Sequence, residues 1–314
     1  MKILDNLWVL TGIVENPRLV TLVAGRGWAR CFLAAFGLLV GALVSETSLA
    51  ASDENRADGS LLDSKYTLTF GGFFPRINSS LDLSSPRGGG TEISIEDDLG
   101  LDDTKPTAWV GFSWRFQPRH QLQIEWFELD RDGLATAGRS FEIFDTTIGV
   151  GASLASEVDL NLGRVTYGYS FLRKEKLDVS FLVGAHIATL KATITASGNV
   201  SVNGVPIAPG TSVTESTSRR TLPLPHIGGS LGYAFTPRLA GRLNLLAFAL
   251  DIGEYRGNLI EFDAFMAYQL TRHFGIGGGF KYFNLKLDYD KSDGGSVEYD
   301  YEFFGPAIFG YVTF

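Results

Sequence analysis

The stretch that decides the fold is Gly305 to Phe314, which reads GPAIFGYVTF at the end of the chain. The segment is aromatic and apolar, and its apolar residues fall largely on alternate positions, which is typical of a β-strand buried on one face. Chain ends usually fray into water, so a strand of this kind needs a partner. In a membrane β-barrel the last strand pairs with the first, and no edge stays open in lipid. The ending therefore predicts a membrane β-barrel.

Outer-membrane proteins of Gram-negative bacteria have a similar ending, with a terminal aromatic residue and apolar residues at alternate positions before it. On these residues the chain resembles the broad family of small Gram-negative outer-membrane β-barrel proteins, over Lys65 to Phe314. It departs at Val312, where the family more often has tyrosine. The resemblance implies that four residues of one parity form the assembly signal: Phe304, Ile308, Val312 and Phe314.

An export signal is indicated near the N-terminus. The apolar run Cys31 to Val44 follows Arg26 and Arg30 and is shorter than the roughly 20 residues that a membrane-spanning helix needs. Small residues at Ser48 to Ala50 place cleavage after Ala50. We therefore predict a leader over residues 1–50 with its apolar core at 31–44, a periplasmic lead-in over 51–64, and a barrel over 65–314.

The mature chain predicted in this way contains no cysteine, because Cys31 is the single cysteine of the sequence. This excludes disulfides and thiolate metal sites, and it fits an oxidising compartment. The net charge is −8 for the whole chain, and the leader holds four basic and three acidic residues, which leaves the mature chain near −9. An acidic exported chain is a poor binder of nucleic acid.

Alternation of apolar and polar residues runs from Lys65 to the end and predicts about ten strands, with eight or twelve as alternatives. A change of phase near Gly163-Arg164 predicts a bulge. The predicted fold class is all-β: a single transmembrane, antiparallel, up-and-down β-barrel with both termini in the periplasm. The predicted strands are Tyr66–Pro75, Thr107–Phe116, His120–Arg131, Glu157–Phe171, Leu177–Ile194, Leu222–Phe235, Leu239–Asp251, Leu259–Leu270, Phe274–Tyr289 and Val297–Phe314.

The connections alternate between short turns and long loops, with predicted loops at residues 76–106, 132–156 and 196–220. Short periplasmic turns and long extracellular loops are typical of outer-membrane barrels. A soluble sandwich or lipocalin-like barrel would also show alternation, but its apolar face would point inward. Outward aromatic residues near strand ends, such as Trp114 and Tyr268, instead indicate the aromatic belts of a membrane protein.

The inward face is predicted to carry charges of both signs. Because a lone buried charge is costly, we expect these groups to pair across the lumen rather than to form an ion path. Arg115 and Glu125, on neighbouring strands of one hairpin, are the first pair expected. Bulky inward residues facing glycine-rich strands predict a filled interior or a narrow water path. The predicted lumen residues are Arg115, Glu125, Asp178, His186, Arg242, Glu261, Asp263 and Lys281.

The segment Ile95 to Asp103 is a weak candidate for a divalent cation site. It lacks the regular ligand spacing and the glycine of an EF-hand loop, so we predict a solvated acidic loop, no metal site and no cofactor. Alternatively, Leu99 and Leu101 would tuck the loop into the barrel mouth. The acidic residues of the loop are Glu96, Asp97, Asp98, Asp102 and Asp103.

The sequence shows no catalytic motif, so we predict a barrel without enzymatic activity and with a structural or narrow, porin-like solute-permeation role in the outer membrane of a Gram-negative bacterium. One alternative is a hydrolase of lipid or peptide with a rim site, in which His226 would act with Glu261 or Ser230. Another is an adhesion or interaction barrel that acts through its extracellular loops. The expected partners are outer-membrane lipid and lipopolysaccharide, and the resemblance implies the barrel-assembly machinery and periplasmic chaperones. We expect a monomer and no nucleic-acid partner.

Overall fold

The computed structural model describes residues 62–84, 90–143, 146–216, 220–252, 254–290 and 296–314. The predicted leader, its cleavage site and most of the predicted lead-in lie outside the described residues. Every described element is a β-strand, and none of the described residues forms a helix long and apolar enough to cross a membrane. The strands are β1 Tyr66–Phe73, β2 Arg76–Ser84, β3 Gly90–Ser94, β4 Thr107–Gln117, β5 His120–Thr136, β6 Phe141–Ile143, β7 Thr146–Ile148, β8 Ser153–Arg173, β9 Leu177–Ser197, β10 Val200–Val202, β11 Val205–Pro206, β12 Ser212–Ser216, β13 Arg220–Ala234, β14 Leu239–Ile252, β15 Tyr255–Gln269, β16 Phe274–Asp290 and β17 Ser296–Thr313.

Ten of these strands form a closed antiparallel ring in the order β1-β4-β5-β8-β9-β13-β14-β15-β16-β17, and β17 pairs back with β1. The register of this last pair runs from Thr67 opposite Thr313 to Phe73 opposite Ala307. Two backbone hydrogen bonds, of 3.1 and 3.0 Å, join Tyr66 and Phe314 in both directions. The predicted closure of the last strand on the first is therefore confirmed.

The two ends of the ring differ in their connections. At one end, which we call the turn end, the strands are joined by short turns such as the one around Pro118, and Phe314 lies there too. At the other end, which we call the loop end, β5, β8 and β9 continue well beyond their neighbours. The predicted long loops are partly wrong, because they contain strands of their own: β2 and β3, β6 and β7, and β10 to β12. Strands β11, β10, β7 and β6 form a separate four-stranded sheet.

The polarity of the alternating pattern reverses halfway along the strands, as β8 shows. In its turn-end half, Val165 and Phe171 face outward and are exposed, whereas Arg164 and Thr166 are buried inside. In its loop-end half the inward residues, such as Leu160, are mainly apolar and the outward ones, such as Glu157, are mainly polar. The even-numbered residues face inward from Leu154 to Ser170, so the bulge predicted at Gly163-Arg164 is wrong, and the irregular pairing lies between Ser170 and Leu172.

Exposed apolar side chains therefore form a belt around the turn-end half of the ring. On β17 the belt includes Phe304, Ile308 and Phe314, which are 47%, 61% and 70% exposed, and Val312 is half-buried on the same face. A contiguous apolar surface of this kind on a folded chain marks contact with a partner or a membrane. The other exposed members include Leu68, Phe70, Val110, Phe112, Trp114, Ile124, Trp126, Phe181, Val183, Ile227, Phe262, Met266, Ile276 and Phe280.

The interior of the loop-end half holds two apolar cores. The first, the ring core, lies inside the ring and includes Phe73, Phe127, Phe283 and Phe303, whose rings stack or meet edge to face. The second, the head core, lies beyond it and joins the strands of the small sheet to the ring; it includes Leu99, Leu101, Phe141, Ile148 and Val200. The alternative prediction, that Leu99 and Leu101 tuck into the mouth, is confirmed.

Candidate functional site

A cluster of buried charged side chains crosses the lumen below the ring core, and we call it the ionic layer. Arg164 is its central cation and is 4% exposed. Its Nη1 donates to Glu261 Oε1 at 2.6 Å and to Asp263 Oδ2 at 3.0 Å, and its Nη2 donates to Glu125. One guanidinium thus binds carboxylates from two separate strands, β5 and β15. Hydrogen bonds in which both groups are ionised are shorter and stronger than neutral ones.

Lys281 is the second cation of the ionic layer. Its Nζ lies 2.9 Å from Asp263 Oδ1 and 3.2 Å from Glu125 Oε2. The same ammonium lies over the rings of Trp109 and Phe265, at 5.2 and 5.4 Å from their centroids. A cation over an aromatic face is attracted by the ring quadrupole, so the rings help to hold a charge that has left water.

Two histidines extend the ionic layer into a chain of hydrogen bonds. His186 Nε2 lies 2.6 Å from Glu261 Oε2, and His226 Nδ1 lies 3.1 Å from His186 Nδ1. The remaining ring nitrogen of His226 lies 3.0 Å from Thr166 Oγ1. One proton on each ring satisfies the whole chain: Thr166 donates to His226, His226 donates to His186, and His186 donates to Glu261.

The ionic layer is separated from the loop end by the ring core. Six strands supply its charged groups and histidines, and on each of them the next inward residue toward the loop end is apolar. This row is Phe127, Leu162, Ala188, Leu224, Leu259 and Phe283. The predicted lumen residues Glu125, His186, Glu261, Asp263 and Lys281 all lie in the ionic layer.

Arg115 and Asp178 form a separate ion pair near the turn end. Arg115 Nη2 lies 2.7 Å from Asp178 Oδ2, and Asp178 Oδ1 accepts from Ser180 at 3.0 Å. The predicted pairing of Arg115 with Glu125 is therefore wrong. The reason is the register: Arg115 lies opposite Gln121, so Glu125 is two inward steps, about 13 Å, farther along the barrel.

Arg242 also faces the lumen near the turn end. It lies opposite Gly232 on β13 and Phe265 on β15, and it lines a cavity of about 150 Å³ below the ionic layer. Glu125 lines the cavity from the side of the ionic layer, and Arg115 lines it from the turn end.

The acidic loop is held by arginines at the loop end. Arg131 donates to Glu96 Oε1 at 2.6 Å, and Arg139 contacts Asp98 at 2.5 and 3.1 Å. The hydrogen bond from the Arg139 guanidinium lowers the pKa of Asp98. Glu96 and Asp98 are thus ion-paired, so the prediction of a solvated loop is wrong for them, whereas Asp97, Asp102 and Asp103 are exposed. Among the described residues, no three His, Cys, Asp or Glu side chains are grouped to hold a metal ion.

The residues of the hydrolase alternative do not form a catalytic group. His226 reaches Glu261 only through His186, and Ser230 lies about 13 Å farther along β13. His120 begins β5 and His273 lies in the turn before β16, so both are at the turn end. The ring core separates His226 from the loop end, where a rim site would lie.

Sequence reasoning missed the two arginines that organise the interior, Arg164 and Arg131. The sequence pattern predicts a bulge at Arg164 and a strand that ends at Arg131, whereas β5 continues to Thr136. The parity of β8 was the available signal, because Leu162, Arg164 and Thr166 continue one inward row.

No family model matches the chain, and no curated protein matches it. Among solved structures, the chain is similar to the outer membrane protease OmpT from Escherichia coli, with 10% identity, 82% of this chain and 100% of that chain covered, and a TM-score of 0.51. It also matches outer membrane protein OprG from Pseudomonas aeruginosa (10% identity, 80% and 97% covered, TM-score 0.33) and the Pseudomonas putida toluene transporter TodX (9%, 83% and 93%, 0.32). The fold is that of Gram-negative outer-membrane β-barrel proteins.

Proposed function

We propose that the chain is an outer-membrane β-barrel that is closed to solutes, carries out no catalysis, and has a structural or interaction role at its extracellular end. In this proposal the turn end faces the periplasm and the loop end faces the exterior. Lipid and lipopolysaccharide surround the ring, the chain is a monomer, and the barrel-assembly machinery and periplasmic chaperones act on it during biogenesis.

The apolar belt supports the membrane location. On β17 the outward residues change from Glu298 and Glu302 to Phe304, and Phe304 to Phe314 covers 11 residues. A transmembrane β-strand needs about 9–11 residues. An outward apolar band together with a polar interior is the pattern of transmembrane barrels, whereas a soluble barrel has the reverse.

The filled lumen is the observation that carries the closed state. The ionic layer joins six strands across the interior, and the ring core covers it with interlocked phenylalanines. Hydrated ions and solutes would have to break buried ion pairs and then cross a dry apolar core, and both steps are costly. This favours the structural role over the porin-like role that the sequence also allowed.

The four-stranded sheet of β6, β7, β10 and β11, together with the loop-end segments packed on it, forms what we call the head, and its order favours a role at the outer surface. Two connections of the loop end pair with each other as β7 and β10, and they add a sheet that the ring does not need for closure. Among the described residues of this end, three large apolar side chains are exposed: Leu134 at 82%, Val150 at 59% and Val205 at 68%. Exposed apolar residues on an ordered surface are suited to contact with another molecule.

Planar-bilayer recording of the full-length protein, purified from outer membranes, tests the closed state. We expect no stepwise currents from protein whose heat-modifiable gel mobility shows that it is folded in the same preparation. Reproducible single-channel steps from folded protein, absent after the sample is heated, would contradict the proposal and support a porin-like role.

Incubation of the same protein with lipid A, phospholipid and peptide substrates tests the absence of catalysis. We expect no turnover above that of an empty-membrane preparation. Turnover that is lost in the His226→Ala variant, while the gel mobility of that variant stays normal, would support the hydrolase alternative instead.

A further inference from the structure

We propose that a gap in the wall of the ring, between β13 and β14, binds one acyl chain of an outer-leaflet lipid. The pairing of these two strands ends at Ile227 opposite Ala247, and beyond that point the structure describes no paired residues between them. Both strands nevertheless continue toward the loop end, where β13 pairs with β9 and β14 pairs with β15. The unpaired stretch, which we call the seam, consists of residues 222–226 of β13 and 248–252 of β14.

Two prolines account for the end of the pairing. In an antiparallel sheet, successive residues direct their backbone groups alternately to the two neighbouring strands. Just after β13, the N–H of Phe235 is donated to the carbonyl of Leu239, at the start of β14. The register of β13 has no shift, so the odd-numbered Pro223 and Pro225 also face β14. Because proline has no N–H, β13 offers β14 no donor at these two positions.

A second gap in the wall shows how the chain closes such a place with its own residues. β4 begins at Thr107, whereas its neighbour β5 continues toward the loop end. The acidic loop and the residue after it cross that gap and pair with both sides. Thr104 pairs with Arg76 of β2, and Leu101 pairs with Gly133 of β5. The part of the chain that the structure describes forms no such bridge at the seam.

Apolar side chains line the seam on both faces of the wall. On the outer face, Pro223 and Pro225 are exposed on β13, and the small Ala249 is exposed on β14. On the inner face, Phe248 packs against the ring core but is only partly buried. Leu259, which lies opposite Phe248 on β15, is fully buried. The wall therefore covers the interior less completely at the seam.

The seam crosses the outer edge of the apolar belt. On β9, Ile187 is the last exposed large apolar residue, and the next outward residue, Thr189, is hydrogen-bonded to Thr221 of β13 at 2.9 Å. On β14, the outward row changes from Ala249 to the exposed Asp251. An occupant of the seam would thus lie mostly at the level of the belt, with one end at a polar boundary. An acyl chain attached to a lipid headgroup has this distribution of polarity.

The backbone of the seam favours a hydrocarbon chain over a peptide strand. A strand added here would need hydrogen bonds from its neighbours, and Pro223 and Pro225 can only accept them. An acyl chain needs no hydrogen bond and gains free energy by covering apolar surface. The proposal rests on the membrane location proposed above, because the belt brings acyl chains to the seam.

Quenching of tryptophan fluorescence by brominated lipid tests the proposal. The variant Phe248→Trp, in a protein whose outward Trp114 and Trp126 are replaced with phenylalanine, is folded into vesicles of phosphatidylcholine with dibrominated acyl chains. The same protein in unbrominated vesicles gives the reference intensity. Bromine quenches an indole only at short range, so an acyl chain in the seam should quench the introduced indole although its side chain points inward.

Phe283→Trp, in the same background, is the matched control. Phe283 is also an inward phenylalanine of the ring core, but it is 2% exposed and lies on β16, which is paired with both of its neighbours at that position. We expect several-fold stronger quenching for Phe248→Trp than for Phe283→Trp. Equal quenching of the two would overturn the proposal.

A second measurement leaves Phe248 unchanged and applies even if its variant does not fold. Mass spectrometry of the intact protein, released from detergent micelles that contain dioleoylphosphatidylcholine, should show one retained lipid. Ala249→Ile fills the outer face of the seam and should reduce this retention several-fold. Ala264→Ile, the same change at an outward alanine of β15 that is paired on both sides, should not. Equal retention by the two variants would contradict the proposed site.

The wild type separates this proposal from the membrane location on which it rests. Trp114 and Trp126 are exposed in the belt, so brominated vesicles should quench them if the belt faces lipid. If they are quenched and the Phe248→Trp indole is protected, the seam proposal alone fails. If they are not quenched, the membrane location fails as well. A dimer in detergent that dissociates on Ala249→Ile would assign the seam to a second copy of the chain, and would also overturn the proposal.

Discussion

At the scale of single residues, the interior depends on a few cations that each hold more than one carboxylate. The ionic layer has three carboxylates, Glu125, Glu261 and Asp263, and only two cations to neutralise them. Removing one cation leaves carboxylates buried without a partner. The free energy of unfolding then falls by more than the intact ion pair contributes to it. We therefore expect the free energy of unfolding of the barrel to depend strongly on Arg164.

Replacement of Arg164 with methionine should lower the free energy of unfolding by about 3–5 kcal/mol, because three buried carboxylates lose a partner. Urea unfolding in detergent, followed by tryptophan fluorescence, measures the change. Adding Glu261→Gln to the variant should recover part of the loss, since it removes one of the uncompensated charges.

The matched control is Arg256→Met. Arg256 lies 2.9 Å from Asp290, but both side chains are 52% exposed, so water screens the pair. Its loss should cost about 0–1 kcal/mol. Similar losses from the Arg164 and Arg256 variants would show that the ionic layer does not stabilise the fold.

Asp98 gives a pH-dependent prediction at the loop end. Its folded pKa is lowered by Arg139, so its contribution is complete above the unfolded pKa of about 3.9 and is lost as the pH falls through the lower folded value. Asp98→Asn should therefore destabilise the head by about 1 kcal/mol at pH 7, and the difference from wild type should shrink below about pH 4.

Hydrogen exchange of the backbone between Ser94 and Leu101 measures this effect. Asp97→Asn is the control, because Asp97 is adjacent and exposed. If the Asp98 variant differed from wild type by the same amount at pH 7 and pH 3, the ion pair would not be the cause.

At the scale of the strand, the alternation of apolar and polar residues was predictable from the sequence. The point along a strand at which the apolar side chains change from the outward to the inward face was not. In β8 the inward row changes from Leu162 to Arg164, and in β17 the outward row changes from Glu302 to Phe304. Without knowledge of where the lipid ends, such a reversal looks like a slip of one residue, because apolar residues move from one parity to the other. The false bulge at Gly163-Arg164 has this origin.

The glycines of β16 are a second feature at this scale. A side chain at Gly279 would overlap the carbonyl oxygen of Ala264 on β15, whereas at Gly163 on β8 the nearest backbone oxygens would be 3.9 Å away. Gly279→Ala should therefore destabilise the β15–β16 pair by about 1–3 kcal/mol or more, and Gly163→Ala should be tolerated. The fraction of heat-modifiable protein in outer membranes measures both. Normal folding of both variants would show that β15 and β16 can separate locally.

At the scale of the whole molecule, the closed ring and the apolar belt followed from the terminal strand and from alternation. The ion pairs of the lumen were not predictable in this way. The register between neighbouring strands decides which charged side chains meet, as Arg115 and Glu125 show. The strands of the head were also not predictable from the sequence. Its short strands, such as Phe141–Ile143 and Val200–Val202, gain a buried face only by packing on residues from distant parts of the chain.

The depth of the belt gives a prediction for membrane insertion. Ile308 lies in the middle of the outward apolar stretch of β17, and Glu298 lies on the same face beyond it. Ile308→Arg should cost about 2–4 kcal/mol of stability in a bilayer, and Glu298→Arg about 0–1 kcal/mol. Folding into lipid vesicles, followed by gel mobility, measures the difference. Equal tolerance of the two arginines would show that β17 does not face lipid over Phe304 to Phe314.

The reversal of polarity along the strands has a practical consequence for the isolated protein. Only the turn-end half offers an apolar exterior, so a detergent collar would surround that half alone. Apart from the exposed Leu134, Val150 and Val205, the described exterior of the loop-end half is mainly polar, and this half should remain free of detergent. Lattice contacts in crystals would then be made mainly by a surface built like that of a water-soluble β-protein.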